Sequence, residues 1–176
     1  MKMAWAVVVL VAYSAVMIVL ALPKLPARIP TKFDFSGKPV AWGSPETLWI
    51  MLLVQVFICA VVLAVPTVGR RAPQLVNLGF HRLSDFPPQT RQRIMPLLEE
   101  MCAWMAALVA ALFTFLIRGM IRAAHEPGAR VTNWPLAVFL AGTAILVIYY
   151  LRRINRVGSE ESRLPNGHKP GDSSDR

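Results

Sequence analysis

Residues 3–22 read MAWAVVVLVAYSAVMIVLAL, twenty residues without a charge. As a helix rising 1.5 Å per residue this stretch spans about 30 Å, the thickness of a bilayer's hydrocarbon core. Three comparable runs follow at residues 47–66, 101–121 and 134–151. The third is interrupted only by Arg118, and the fourth opens with Asn133 and Pro135, residues suited to a helix start. In lipid, only helices and closed barrels satisfy their own backbone, and these runs lack the period-two alternation of barrel strands. The pattern predicts an all-α membrane protein, a bundle of four transmembrane helices at about 3–22, 47–66, 101–121 and 134–151.

Composition agrees. Hydrophobic residues make up 55% of the 176 and charged residues 16%, against roughly 25% charged in soluble domains. The mean hydropathy is +0.48. A net charge of +9 raises the question of nucleic acid. The basic residues, however, are spread between the apolar runs as topology signals and form no continuous face, so no nucleic-acid partner is expected. Lipid is the partner that these runs require.

The first run has a length that favours an uncleaved anchor over a signal peptide, whose apolar stretch is about 7–15 residues. Lys and Arg divide 12 to 7 between the side holding the N-terminus, second loop and C-terminal tail and the side holding the first and third loops. By the positive-inside rule both termini are cytoplasmic. Residues 157–176, rich in Gly, Pro and charge, read as a disordered cytoplasmic tail.

The first loop, residues 23–46, contains Pro23, Pro26, Pro30, Pro39 and Pro45 and cannot be helical for long. Ser36 and Gly37 mark a turn within a partly extended excursion. Phe33, Phe35 and Trp42 supply apolar groups to pack on helix ends or at the interface, and Lys32 places a cation beside them. Pro26, Pro30, Lys32, Phe33, Gly37, Pro39 and Trp42 are therefore the candidate partner-binding loop. The alternative is a proline-stiffened linker.

Candidate chemistry is sparse. Cys59 and Cys102 lack metal or redox spacing and read as small buried residues. His81, His125 and His168 lie far apart in the sequence, and the Glu99-Glu100 and Glu160-Glu161 pairs read as solvated charge. No nucleophile elbow, phosphate loop or His-Glu-x-x-His helix is present. No catalytic residue, metal or cofactor is expected.

Near the middle of the runs lie Tyr13 with Ser14, Gln55, Thr114, and Gly142 with Thr143. Tyr13, Gln55, Thr114 and Thr143 could form one mid-membrane polar layer, as a transporter or channel subunit would use, or simply hydrogen-bond between helices. Ala103, Ala107 and Ala111 on the third run, and Ala137 and Ala141 on the fourth, read as packing seams. Arg118, about one turn from its run's end, can snorkel to the interface.

The stretch 22–44, LPKLPARIPTKFDFSGKPVAWGS, resembles the domain of unknown function 1648. Its pattern is roughly L-P-x-x-I-P-T-H-F-x-x-x-G-x-P-x-x-W-G-S after a first transmembrane helix. Leu25, Pro26, Ile29, Pro30, Thr31, Phe33, Gly37, Pro39, Trp42, Gly43 and Ser44 fit it; Lys32 replaces the histidine. Val76-Asn77-Leu78 and the region of Arg91 and Arg93 resemble a second stretch of small family members. The module is shared with SdpI-type immunity proteins. The resemblance implies a bacterial membrane protein. With no catalytic constellation among the residues, the expectation is a non-enzymatic, multi-pass protein of the bacterial cytoplasmic membrane with a binding, immunity or envelope-regulatory role through its extracytoplasmic loop. This chain lacks the longer helical region of those immunity proteins, so the specific activity does not carry over. Oligomeric state has no sequence signal.

Overall fold

The computed structural model describes residues 2–34, 36–76, 83, 87–126 and 134–162. Among them are helices α1 (Lys2–Ala21), α2 (Thr47–Arg71), α3 (Pro88–His125) and α4 (Trp134–Ser162). Strands β1 (Ile29–Phe33) and β2 (Pro39–Gly43) form an antiparallel hairpin between α1 and α2. All four helices are long and apolar enough to cross a membrane. The fold is thus the expected four-helix bundle, mostly rather than wholly helical because the proline-rich loop is a small sheet.

α3 is the axis. It packs along α1, α2 and α4, while α1 and α2 touch one another less extensively. Three buried layers follow it. At the hairpin end, Ile18, Ile29, Leu48, Ile117 and Met120 form one cluster. In the middle, Val7 and Cys59 pack with Ala106, Ala107, Val109 and Ala110. At the opposite end, where α1 begins and α4 ends, Val76, Leu83, Ile94, Leu98, Cys102 and Ile154 close the core.

The alanine seams differ from their sequence reading. Ala106, Ala107 and Ala110 are buried, whereas Ala103 is half-buried and Ala111 exposed. On α4, Ala137 and Ala141 are exposed, and Gly142 faces α3 across from Leu108. Four-residue spacing reveals that a face exists, and neighbouring helices decide which way it points.

Helix lengths also exceed the apolar runs. The third run begins at residue 101, but α3 begins at Pro88, where a proline's missing N–H is no loss. Pro96 lies inside α3 and is exposed, as is Gln92 one turn earlier, so water can reach the carbonyl that Pro96 leaves unbonded. Uncharged length measures the hydrocarbon, not the helix. α4 likewise continues to Ser162, so residues 157–162 of the expected disordered tail are helical. Extending an existing helix needs no new nucleus, which composition alone does not register. The remainder of that tail lies outside the described residues, as do His81 and His168.

All five tryptophans are exposed. Trp42, Trp49 and Trp134 lie toward the hairpin end, Trp5 and Trp104 toward the other. Trp5 and Trp104 at one end, and Trp49 and Trp134 at the other, form the two belts expected where a bilayer's interfaces meet a bundle, while Trp42 stands on the hairpin.

Candidate functional site

The hairpin has two unlike faces. Ile29 is completely buried, and Leu22, Leu25 and Phe33 pack against the same cluster at the bundle's end. Pro30 is also fully buried. On the opposite strand Val40 and Trp42 are 62% and 56% exposed, and Lys32 and Pro26 are exposed too. Alternation along β2 produces this division, since successive side chains of a strand point to opposite faces. Pro39 is half-buried. The seven predicted loop residues are brought together in one module, but they split into a group that seats it and a group that it presents.

The turn is more tightly built than its Ser36-Gly37 signature suggested. One carboxylate oxygen of Asp34, Oδ1, accepts from the Ser36 backbone N–H at 2.8 Å, the Ser36 hydroxyl at 2.7 Å and the Lys38 N–H at 2.9 Å. The backbone of Asp34 closes the turn in both directions, donating to Lys38 and accepting from Gly37. Gly37 has φ of 77°, a region that an L side chain enters only at a cost. Sequence reasoning passed over Asp34, although an aspartate two residues before Ser or Gly is a recognisable turn signal. Hydrogen bonds from Ser36 and then Lys38 hold its carboxyl below the ordinary carboxylate range.

The hairpin's far end explains another part of the motif. Ile29 pairs with Gly43, and a Cβ on Gly43 would lie 2.8 Å from Thr31 Cγ2. Ser44 then turns the chain, its carbonyl accepting from the Thr47 N–H at 3.1 Å as α2 begins.

A second polar assembly lies inside the bundle. Ser14 and Thr114 are joined hydroxyl to hydroxyl at 2.7 Å. Gln55 Nε2 donates to the Ala110 carbonyl at 3.2 Å and reaches Thr114 Oγ1 at 3.5 Å. Ser14 and Gln55 have no exposed surface. Gln55 Oε1 is buried without a partner. Thus Gln55 and Thr114 meet as the layer required, with Ser14 as their third member.

Tyr13 and Thr143 do not join it. Tyr13 is 47% exposed, pointing away from the core as its neighbour Ser14 points in. Thr143 is half-buried and its hydroxyl has no partner. Gly142 lies opposite Leu108 and Trp134 opposite Phe115, so Thr143 sits about seven residues below Thr114, roughly 11 Å at helical rise. Nearness to the centre of a run does not mean equal depth, because α4 is displaced along the axis.

Glu99 and Glu100 are in contact with solvent, as expected, and also have partners. Glu99 pairs with Arg70 of α2, and Glu100 approaches Arg153 of α4 at 4.0 Å. Adjacent helical residues point about 100° apart, so each carboxylate meets a different neighbour. Arg118 is exposed near the hairpin end, in position to snorkel.

Comparison with known families places a domain of unknown function (DUF1648) at residues 9–56. That segment holds most of α1, the whole hairpin and the first part of α2, including Ser14 and Gln55 but not Thr114. No curated protein and no solved structure matches the chain.

The inner cluster generates one expectation. Gln55→Leu removes two hydrogen bonds but also an orphaned acceptor, so thermal unfolding in detergent should register a loss of about 1 kcal/mol or less. A loss several times larger would mean that Gln55 carries the bundle.

The turn generates another. Because the folded Asp34 carboxyl titrates below its unfolded counterpart, its support is complete above about pH 4 and disappears as pH falls through the folded value. Hairpin order, followed by Trp42 fluorescence, should therefore fall in acid. Asp34→Asn should remove that dependence, and Gly37→Ala should weaken the turn by about 1–2 kcal/mol at every pH.

Proposed function

We propose, from a DUF1648 domain set among four membrane-spanning helices, that the protein is a non-enzymatic membrane protein acting through its hairpin. The carrying observation is the division of that hairpin into a buried face around Ile29 and an exposed face bearing Val40 and Trp42. A loop needed only as a linker gains nothing from a stapled turn and a fixed outward aromatic. Rigid exposed aromatics contribute strongly to protein recognition, since little entropy is lost when they bind. Lys24, Arg28, Lys32 and Lys38 are exposed on the hairpin or the segment leading into it, favouring a partner with an apolar side chain flanked by acidic groups.

In this reading the hairpin is extracytoplasmic and both termini are cytoplasmic, in a bacterial inner membrane, as the distribution of Lys and Arg favours. The role is binding of an immunity or envelope-regulatory kind. The transporter alternative draws on Gln55 Oε1, a buried acceptor with no partner at mid-depth. The separate positions of Tyr13 and Thr143 weaken it, and a solute flux abolished by Gln55→Leu without loss of fold would restore it.

Single substitutions separate seating from recognition. Phe33→Ala should lower thermal stability in detergent by about 1–3 kcal/mol, since the side chain is only partly buried. Trp42→Ala should leave stability unchanged while abolishing co-purification of a partner. Equal destabilisation by both would reduce the hairpin to a cap.

Orientation has its own measurement. In intact spheroplasts of a Cys59→Ala, Cys102→Ala background, an impermeant maleimide should label Ser36→Cys and spare Ser84→Cys. The reverse pattern would invert the topology.

A further inference from the structure

Beyond the hairpin, a groove runs along α4 at the opposite end of the bundle. It is open, has a volume of ≈ 670 Å³, and is lined by Ile145, Ile148, Tyr149, Arg152, Arg153 and Arg156. At 100° per residue these six project from one sector of the helix. Along the axis they separate by polarity, with the isoleucines deeper and the three arginines beyond them.

The depth of that boundary is set by α4's neighbours. Arg153 approaches Glu100 at 4.0 Å, and Arg70 pairs with the adjacent Glu99, so α2, α3 and α4 all become charged at one level. Trp104 lies about one turn inside it on α3 and Tyr149 one turn inside it on α4, both exposed. Aromatic residues mark the interface, with headgroups outside them and hydrocarbon within. Arg152, Arg153 and Arg156 therefore stand in the headgroup layer, while Ile145 and Ile148 lie against acyl chains.

We propose that this groove is a binding site for one anionic phospholipid. Its phosphate is held between Arg152 and Arg156, one turn apart, and an acyl chain lies along Ile148 and Ile145. Arg153 is drawn toward Glu100, so its charge is partly answered by protein and it forms the inner border. Guanidinium groups bind phosphate oxygens through paired, charge-assisted hydrogen bonds. A soluble anion would use the arginines and leave the apolar half uncovered; a neutral amphiphile would do the reverse. An anionic lipid satisfies both halves, and the membrane presents it at this depth.

Native mass spectrometry of the delipidated full-length protein tests the assignment, with phosphatidylglycerol, phosphatidylcholine and inorganic phosphate as probes. Phosphatidylglycerol should bind in preference to phosphatidylcholine. Arg152→Gln with Arg156→Gln should weaken it about 30-fold, from roughly 1 kcal/mol per arginine near a membrane surface. Arg156→Gln alone, which spares the contact between α3 and α4, should move affinity in the same direction. Arg71→Gln with Arg93→Gln, exposed at the same end but outside the groove, should leave binding unchanged. Equal binding of the two lipids overturns the proposal, as does an equal loss in the control pair. Displacement of phosphatidylglycerol by equimolar inorganic phosphate would make this a soluble-phosphate site and overturn the lipid assignment.

Discussion

Hydrocarbon offers a polar atom no hydrogen-bond partner, so three helices that carry polar groups at mid-depth must bring those groups to one another. Thr114 is where this happens. Its hydroxyl meets Ser14 of α1, lies within reach of Gln55 of α2, and donates to the Ala110 carbonyl at 2.8 Å within its own helix. Each contact is modest in energy, since membrane hydrogen bonds average about 0.6 kcal/mol. Their geometric effect is larger, because a rotation or slide of one helix would expose an unsatisfied polar group to lipid. With three helices aligned at this level, Ile18, Leu48 and Ile117 converge at the hairpin end, and Ile29 seats among them.

The length of α3 explains the other end. Its 38 residues extend about 57 Å, nearly twice the hydrocarbon thickness. The excess projects beyond the membrane with the end of α2 and the last turns of α4, around Leu98 and Ile154. Glu99 and Glu100 face different neighbours there and meet an arginine on each. Such exposed pairs contribute little stability individually. Their value is positional, since they bring the charged layers of three helices to a common depth and place the α4 arginines beside the headgroups.

In the function proposed, the hairpin connects this architecture to recognition. Prolines and the turn around Asp34 limit its conformations, and the buried face around Ile29 fixes it on helices that are themselves interlocked. The presented face inherits that rigidity without contributing much to the core. Residues 9–56 combine the hairpin with Ser14 and Gln55, so the matched domain carries both the presenting surface and two of the three polar groups that orient its base.

The sequence alone determined four membrane crossings, because twenty uncharged residues have few stable alternatives in water, and it marked a turn at Ser36-Gly37, because glycine tolerates positive φ. It also singled out Gln55 and Thr114, whose polarity stands out in apolar runs. Only the tertiary structure decided that Ser14 replaces Tyr13 in their company, that Thr143 lies at another depth, and that Ala106 and Ala110 form the seam rather than Ala103 and Ala111. Those outcomes depend on the rotation and axial shift of one helix against another. Such offsets arise from side chains far apart in the chain, as Glu99 and Glu100 reaching different neighbours show, and no local periodicity encodes them.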